Sequence, residues 1–241
     1  MFRPDETGIM MAENQKRQYV NYTFYRVDPS WRRLSEEERG RGKREFAEVI
    51  EGFSSKIMVF SYSTFGFRAD SDFMIWRISY SLEDFQRMTS EMMNTGLGGY
   101  LTNTWSFLSM TRHSIYVDKH SHEGQEGRRL VVIPSQAKYI FVYPFVKTTD
   151  WYLLPIEDRQ RMMDEHIDLG HKYPSVKINT SYSFGLDDQE FIVAFETDKP
   201  EDFMEVVMKM REQEGRRYTL RDTPIFTCVK KEIKEILDLV A

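Results

Sequence analysis

The stretch "SWRRLSEEERGRGKREFAEVI", Ser30 to Ile50, aligns without a gap on "DWYLLPIEDRQRMMDEHIDLG", Asp150 to Gly170. Trp31 falls on Trp151, Leu34 on Leu154, Glu37 on Glu157, Arg39 on Arg159, Arg41 on Arg161 and Glu45 on Glu165. Further along, "SYSTFGFRADSDF" (Ser61 to Phe73) matches "SYSFGLDDQEF" (Ser181 to Phe191), and "SLEDF" (Ser81 to Phe85) matches "KPEDF" (Lys199 to Phe203). Order and spacing persist while the offset shortens slightly, as single-residue deletions in the second copy would produce. The chain is a duplicated unit.

Each copy reads the same way. A β-branched, aromatic strand comes first ("YVNYTFY", "YIFVYPF"). A helix follows, opened by Ser35 with Glu38 as a capping box in one copy and by Pro155 in the other. A hairpin with Gly and Asp at its turn comes next, then a second helix (about Leu82 to Asn94, and Pro200 to Glu212) and a last strand ("WSFLSMTRHSIYV", "PIFTCVKK"). The order β-α-β-β-α-β predicts an α+β protein of tandem ferredoxin-like halves with antiparallel sheets. The halves span residues 1–120 and 121–241, with the polar "DKHSHEGQEGRR" as a surface connection between them. The helix-free sheet faces are aromatic and need cover, most simply from each other in a barrel.

Composition narrows the function. With 17 Phe and 14 Met in 241 residues the protein is globular and aromatic-rich, and its net charge of −5 disfavours a nucleic-acid partner. Cys228 is the only cysteine, which excludes an internal disulfide, a cysteine-based zinc site and an iron–sulfur cluster. No apolar run is long enough to span a membrane and the N-terminal stretch does not resemble a signal peptide, so a cytoplasmic protein is expected. There is no phosphate-cradling glycine loop and no G-x-S-x-G.

The duplication also supplies an internal control for function. His166 lies among Met162, Met163 and Leu169 on one helical face, and its counterpart in the first copy is Phe46. One helix face accepts a benzene ring in one copy and an imidazole in the other. A buried imidazole whose nitrogens find no partner costs about 1–3 kcal/mol, so the exchange points to a role. No second His, Cys or carboxylate follows at i+3 or i+4, since Gly170 stands at i+4. That pattern disfavours a multidentate zinc or di-iron site. A single imidazole suits haem iron, whose other ligands come from the porphyrin.

At these residues the chain resembles the chlorite dismutase family. Between Tyr143 and Tyr218 the run "YPFVKTTDWYLLPIEDRQRMMDEHIDLGHKYPSVKINTSYSFGLDDQEF" carries the resemblance, and "GFRADSDFMIWRISYSLEDFQ" extends it more weakly into the first half. The family includes chlorite-splitting haem enzymes and peroxide-dependent coproheme decarboxylases that complete haem b. The resemblance implies a dimeric α+β barrel, often in a homo-oligomer such as a pentamer, with haem b or coproheme in the second half only. It implies His166 as the proximal iron ligand and Glu214 near the carboxylate that bonds to that ligand. Tyr143 and Lys147 match the "YP-x-x-K" of the decarboxylases, where the tyrosine is oxidised to start decarboxylation and the lysine assists at the carboxylates. A strand places i and i+4 on one face, so both could meet an anionic porphyrin edge. Arg211 and Arg217 resemble arginines near the propionates. Trp151 resembles a tryptophan at the haem edge, although Trp31 in the first half argues for a structural role.

One departure bears on activity. Counting back from "GLDD", chlorite-splitting members carry an arginine above the iron, and one branch of decarboxylases a glutamine, where this chain has Ile178. Isoleucine can neither pair with hypochlorite nor donate to peroxide, and losing such a donor typically costs about 10²–10³ in rate. Efficient chlorite dismutation is not expected. The adjacent Asn179 points to the other sheet face. His120 and His122 have H-x-H spacing but fall in the polar connection, and His113 and His171 have no obvious partner in sequence. The sequence therefore predicts a peroxide-dependent coproheme decarboxylase. The competing readings are a non-catalytic haem carrier or sensor, a weak peroxidase, and a haem-free barrel with a different ligand.

Overall fold

The structure, a computed structural model, describes residues 16–116 and 131–240. His120 and His122 lie outside the described residues. The first half contains β1 (Tyr19–Val27), α1 (Glu36–Gly52), β2 (Met58–Ser63), β3 (Phe73–Ser79), α2 (Leu82–Met93) and β4 (Leu101–Met110). The second contains β5 (Tyr139–Lys147), the short α3 (Thr149–Leu153), α4 (Ile156–His171), β6 (Lys177–Tyr182), β7 (Phe191–Thr197), α5 (Pro200–Glu212), β8 (Thr219–Arg221) and β9 (Phe226–Lys230), followed by α6 (Ile233–Leu239). Strand order is β4-β1-β3-β2 in the first sheet and β9-β5-β7-β6 in the second. These are two ferredoxin-like halves.

The sheets close on each other. β2 pairs with β9 through Tyr62↔Lys230 and Ser63↔Val229, and β4 pairs with β6 through Met110↔Tyr182. β8 adds only a short ladder to the end of β5. The helix-free faces meet inside this barrel, where Tyr22, Phe24, Tyr62, Trp76, Phe107 and Phe226 are among the buried residues. Tyr22 stacks on Trp76 at 5.3 Å and Phe24 on Phe226 at 3.9 Å. Each large ring buried here contributes roughly 1.5–3 kcal/mol.

Equivalent backbone hydrogen bonds recur in both copies. Asp28 N–H donates to the Tyr100 carbonyl at 2.8 Å, and Thr148 N–H to the Tyr218 carbonyl at 2.9 Å. Helix starts differ. Ser35 caps α1 with a full capping box, whereas α4 begins at Ile156 after Pro155 with no side-chain cap. β4 starts at Leu101, ahead of the "WSFLSM" run, because Leu101 to Asn103 pair with Val27 to Tyr25 beyond a bulge.

The layers between helices and sheet differ sharply. In the first half the layer is filled by Trp31, Phe46, Phe73, Ile75, Phe85 and Met92 among others. Ile233, Ile236, Leu237 and Val240 join it, so α6, whose sequence reads as a charged face, buries its other side in the opposite half. In the second half only Phe141, Tyr143, Val193, Phe195 and Phe203 form the buried cluster. The contrast extends to the sheet itself. Where the second half sets Phe141 opposite Phe195, the first sets Asn21 opposite Arg77. Arg77 is 4% exposed and is satisfied by neutral acceptors: Asn21 Oδ1 at 2.6 Å, Thr23 Oγ1 at 2.9 Å and Thr89 Oγ1 at 2.7 Å.

Helix approach is set by an exchange of small for large. Gly42 of α1 lies against Leu97, and a Cβ there would meet Leu97 N at 2.8 Å and the Trp31 ring at 2.9 Å. At the second copy's crossing Met162 faces Gly215. Gly40 has only the flexible end of Arg44 nearby, at 3.4 Å. Gly42→Ala should therefore lower stability by about 1–3 kcal/mol, while Gly40→Ala on the same helix should raise it by about 0.5–1 kcal/mol. Urea midpoints of the two variants check the pair, and equal effects would contradict the close approach at Gly42.

Candidate functional site

Strand alternation turns Tyr139, Phe141, Tyr143 and Phe145 toward the helices and Ile140 and Val142 into the barrel. Across the second sheet, Phe141, Phe195 and Ile178 form one row on the helix side, and Tyr143, Val193 and Thr180 form the next. Phe203 of α5 covers the β5 and β7 part of this floor, stacking on Phe141 at 4.0 Å and lying 5.0 Å from Phe195. The β6 part is left open: Ile178 is 47% exposed and Thr180 is exposed. Asn179 turns inward, and its amide donates to Glu196 Oε2 at 2.7 Å within the barrel. Ile178 and Thr180 of β6 thus stand uncovered on the helix side of the second sheet.

His166 projects from α4 and is half-buried, unlike its fully buried counterpart Phe46. The Gln213 side chain lies near its ring, and the Gln213 amide nitrogen donates to the Glu165 carbonyl at 2.9 Å. Burial first, and then the Lys147 cation, push the imidazole down to about 4. The ring is therefore neutral at pH 7, as a metal ligand must be. Glu214, expected at this ring, instead forms an ion pair with Arg161 at 2.9 Å. Both residues at the exit of α5 engage α4: the Gln213 amide donates to the Glu165 carbonyl and the Glu214 carboxylate pairs with Arg161.

The end of β5 brings further groups to the same side. Lys147 Nζ lies 4.0 Å from the centre of the Trp151 ring. Trp151 is buried and packs on Tyr218 at 5.8 Å, as Trp31 does on Tyr100 at 5.4 Å. It is thus both a structural plate and the surface under the ammonium. Glu190 Oε2 accepts from the Lys147 N–H at 2.7 Å and from the Tyr152 hydroxyl at 2.6 Å, which fixes the strand end. Burial lowers the Lys147 ammonium to about 8, with the Glu190 charge opposing. Burial likewise raises the Tyr143 phenol, and the Asp222 carboxylate adds to this while Arg211 and Arg216 oppose it.

Arg211 and Arg216 converge on Asp222 Oδ2, at 2.9 and 2.7 Å. Arg211 and Arg217 are both exposed, and Arg216, half-buried, takes the more inward position. Gln213, Arg216, Asp222 and Glu190 were not singled out by sequence. No group of three or more His, Cys, Asp or Glu side chains able to hold a metal occurs among the described residues. A metal at His166 would need most of its ligands from a cofactor. The donor set fits a flat, largely apolar anion: one neutral imidazole, the uncovered Ile178 on β6, and the cations Lys147, Arg211 and Arg216. No helix of the described residues is long and apolar enough to cross a membrane.

The depressed imidazole has a consequence for stability. Between about 6.5, the unfolded value, and about 4, the unfolded chain binds the proton and the folded chain does not. The contribution of His166 is thus fully present above 6.5 and is lost as pH falls through 4. Denaturant midpoints measured from pH 7 to pH 4 should fall less steeply in His166→Phe, which restores the first copy's residue. Identical slopes would refute the low value.

A family model described as chlorite dismutase matches residues 39–231. A coproheme decarboxylase of Mycolicibacterium smegmatis is 33% identical over 177 residues, covering 73% of this chain and 74% of the relative. Among solved structures, a mutant chlorite dismutase from Candidatus Nitrospira defluvii superposes with a TM-score of 0.84 at 29% identity, over 92% of this chain and 95% of its own. A haem-binding protein from Thermus thermophilus shares the fold, with a TM-score of 0.81 at 22% identity over 93% and 95%. The chain with the imidazole-bearing second repeat belongs to the chlorite dismutase family.

Proposed function

We propose that the protein is a haem-dependent oxidoreductase, a peroxide-dependent coproheme decarboxylase, with the cofactor site in the second repeat (121–241) and none in the first (1–120). The observation that carries this reading is one neutral imidazole, His166, with the Lys147 cation near it and Arg211 and Arg216 near the Tyr143 phenol. The decarboxylase of M. smegmatis, at 33% identity, supports the choice of reaction.

His166 would hold the iron of coproheme or haem b through a ring nitrogen, with Ile178 against the apolar macrocycle and Trp151 at its edge. When bound, the iron porphyrin supplies the two-electron reduction of peroxide to water. For each propionate the balance is one peroxide and one proton consumed, giving a vinyl group, carbon dioxide and two waters. The cations orient the substrate carboxylates. Arg211 and Arg216 share a single carboxylate, Asp222, and so retain positive field for a second anion. Lys147, held over Trp151, presents its ammonium from the same face of β5 as Tyr143. Burial keeps the Tyr143 phenol protonated, so its Oη–H is a hydrogen source beside the carboxylate. Glu214 and Arg217, turned to Arg161 and to solvent, are left outside this scheme.

Ile178 favours a second reading, a haem carrier or weak peroxidase, because an exposed apolar side chain on β6 gives peroxide no donor. One experiment separates the two. Purified protein is titrated with coproheme and with haem b by Soret absorbance, then given peroxide while porphyrin mass is followed. Stepwise loss of carboxyl mass, slowed by about 100-fold or more in Tyr143→Phe, supports the decarboxylase. Binding without mass loss supports the carrier, and an unchanged loaded spectrum in His166→Ala would remove the proposed ligand.

A further inference from the structure

The two repeats keep one packing device and differ around it. In the first, Trp31 is buried and packs on Tyr100 at 5.4 Å; in the second, Trp151 is buried and packs on Tyr218 at 5.8 Å. The copies part at the last residue of the first strand. Val27, paired with Leu101, stands there in the first repeat and shares the apolar cluster of Trp31. Lys147, paired with Thr219, stands there in the second, with Nζ 4.0 Å from the centre of the Trp151 ring. Two further exchanges accompany this one: Thr23 gives way to Tyr143 on the strand, and Phe46 to His166 on the helix. A cation thus lies over the tryptophan in the repeat that also carries the phenol and the imidazole.

We propose that the Lys147 ammonium shields Trp151 from one-electron oxidation, so that a peroxide-oxidised iron porphyrin draws its electron from the Tyr143 phenol instead. The inference rests on the reading of the second repeat as the oxidising site, and it gives Lys147 a task besides orienting carboxylates. Both rings are oxidisable, and Trp151 is retained because it packs the turn. A cation discriminates between them. An indole that loses one electron becomes a radical cation, and an ammonium 4.0 Å away repels it where it had attracted the neutral ring. A phenol loses its proton together with the electron. The O–H bond breaks, the electron goes to the oxidant, the proton goes to water, and the radical left behind is neutral. A nearby cation does not oppose that step. Lys147 carries its charge at pH 7, because burial lowers the ammonium only to about 8. Trp31, with Val27 in the corresponding place, is the unshielded counterpart.

The shield is measurable without the cofactor. Cofactor-free protein at pH 7 is exposed to azide radicals, a neutral one-electron oxidant, and oxidised tryptophans are located by peptide mass spectrometry with buried Trp31 as reference. The Trp151-to-Trp31 ratio should rise about tenfold in Lys147→Met, which keeps the stem and removes the charge, and return to the starting value in Lys147→Arg. Lys147→Gln is a second neutral variant in case the methionine one does not fold. In protein loaded with haem b and given peroxide, the neutral variants should accumulate oxygenated Trp151 by mass. An unchanged ratio in a folded neutral variant, or a rise that Lys147→Arg does not reverse, overturns the proposal. Failure of the haem reading looks different: the loaded spectrum would survive His166→Ala, while the cofactor-free ratio would still respond to Lys147.

Discussion

The closure of two four-stranded sheets into one barrel governs everything else in this molecule. A ferredoxin-like half alone has an uncovered aromatic face and two open edges, β2 and β4 in the first half. Pairing β2 with β9 and β4 with β6 removes the edges, and the shared interior covers both faces. Residues facing that interior serve both halves at once, so change there is constrained from two sides. The outer layer of the first half also takes in α6 from the second.

Five substitutions at three equivalent places distinguish the outer layer of the second half from that of the first. Phe46 becomes His166, which exchanges a fully buried ring for a half-buried one. Asn21 and Arg77 become Phe141 and Phe195, replacing a buried polar cluster by an apolar floor. Gly42 against Leu97 becomes Met162 against Gly215, which alters how closely the first helix approaches the turn behind it. In addition α6 fills the first half's layer and not the second's. The uncovered helix side of β6 in the second half is thus what remains when the same architecture is left without these fillings.

Charge at the rim follows from the same openness. Arg211 and Arg216 crowd together because Asp222 bridges them, and without that carboxylate two guanidinium groups would repel. Lys147 is handled differently. The nearby Glu190 oxygen is engaged by the Lys147 N–H and by Tyr152, and the ammonium rests on the Trp151 ring. Partial desolvation then lowers its pKa to about 8. The result is a set of cations held near Tyr143 with one bridging carboxylate among them.

Repetition, element order and the Phe46/His166 contrast were legible in sequence because hydrophobic periodicity and register are local properties, and a repeat aligns them against each other. The facing of Tyr143 with Lys147, and of Ile178 against Asn179, followed from strand alternation alone. What the tertiary structure decided lies where periodicity stops. Between α5 and β8 the chain runs through an extended residue and a 3₁₀ turn, so no repeating pattern says what Gln213 and Glu214 engage on α4, or which of Arg216 and Arg217 points inward. The side chains there are directed by how the turn meets α4 and β5, which are distant in sequence. The crossing of α6 into the first half was invisible for the same reason: an amphipathic helix announces an apolar face, but only the assembled barrel determines which core lies within its reach.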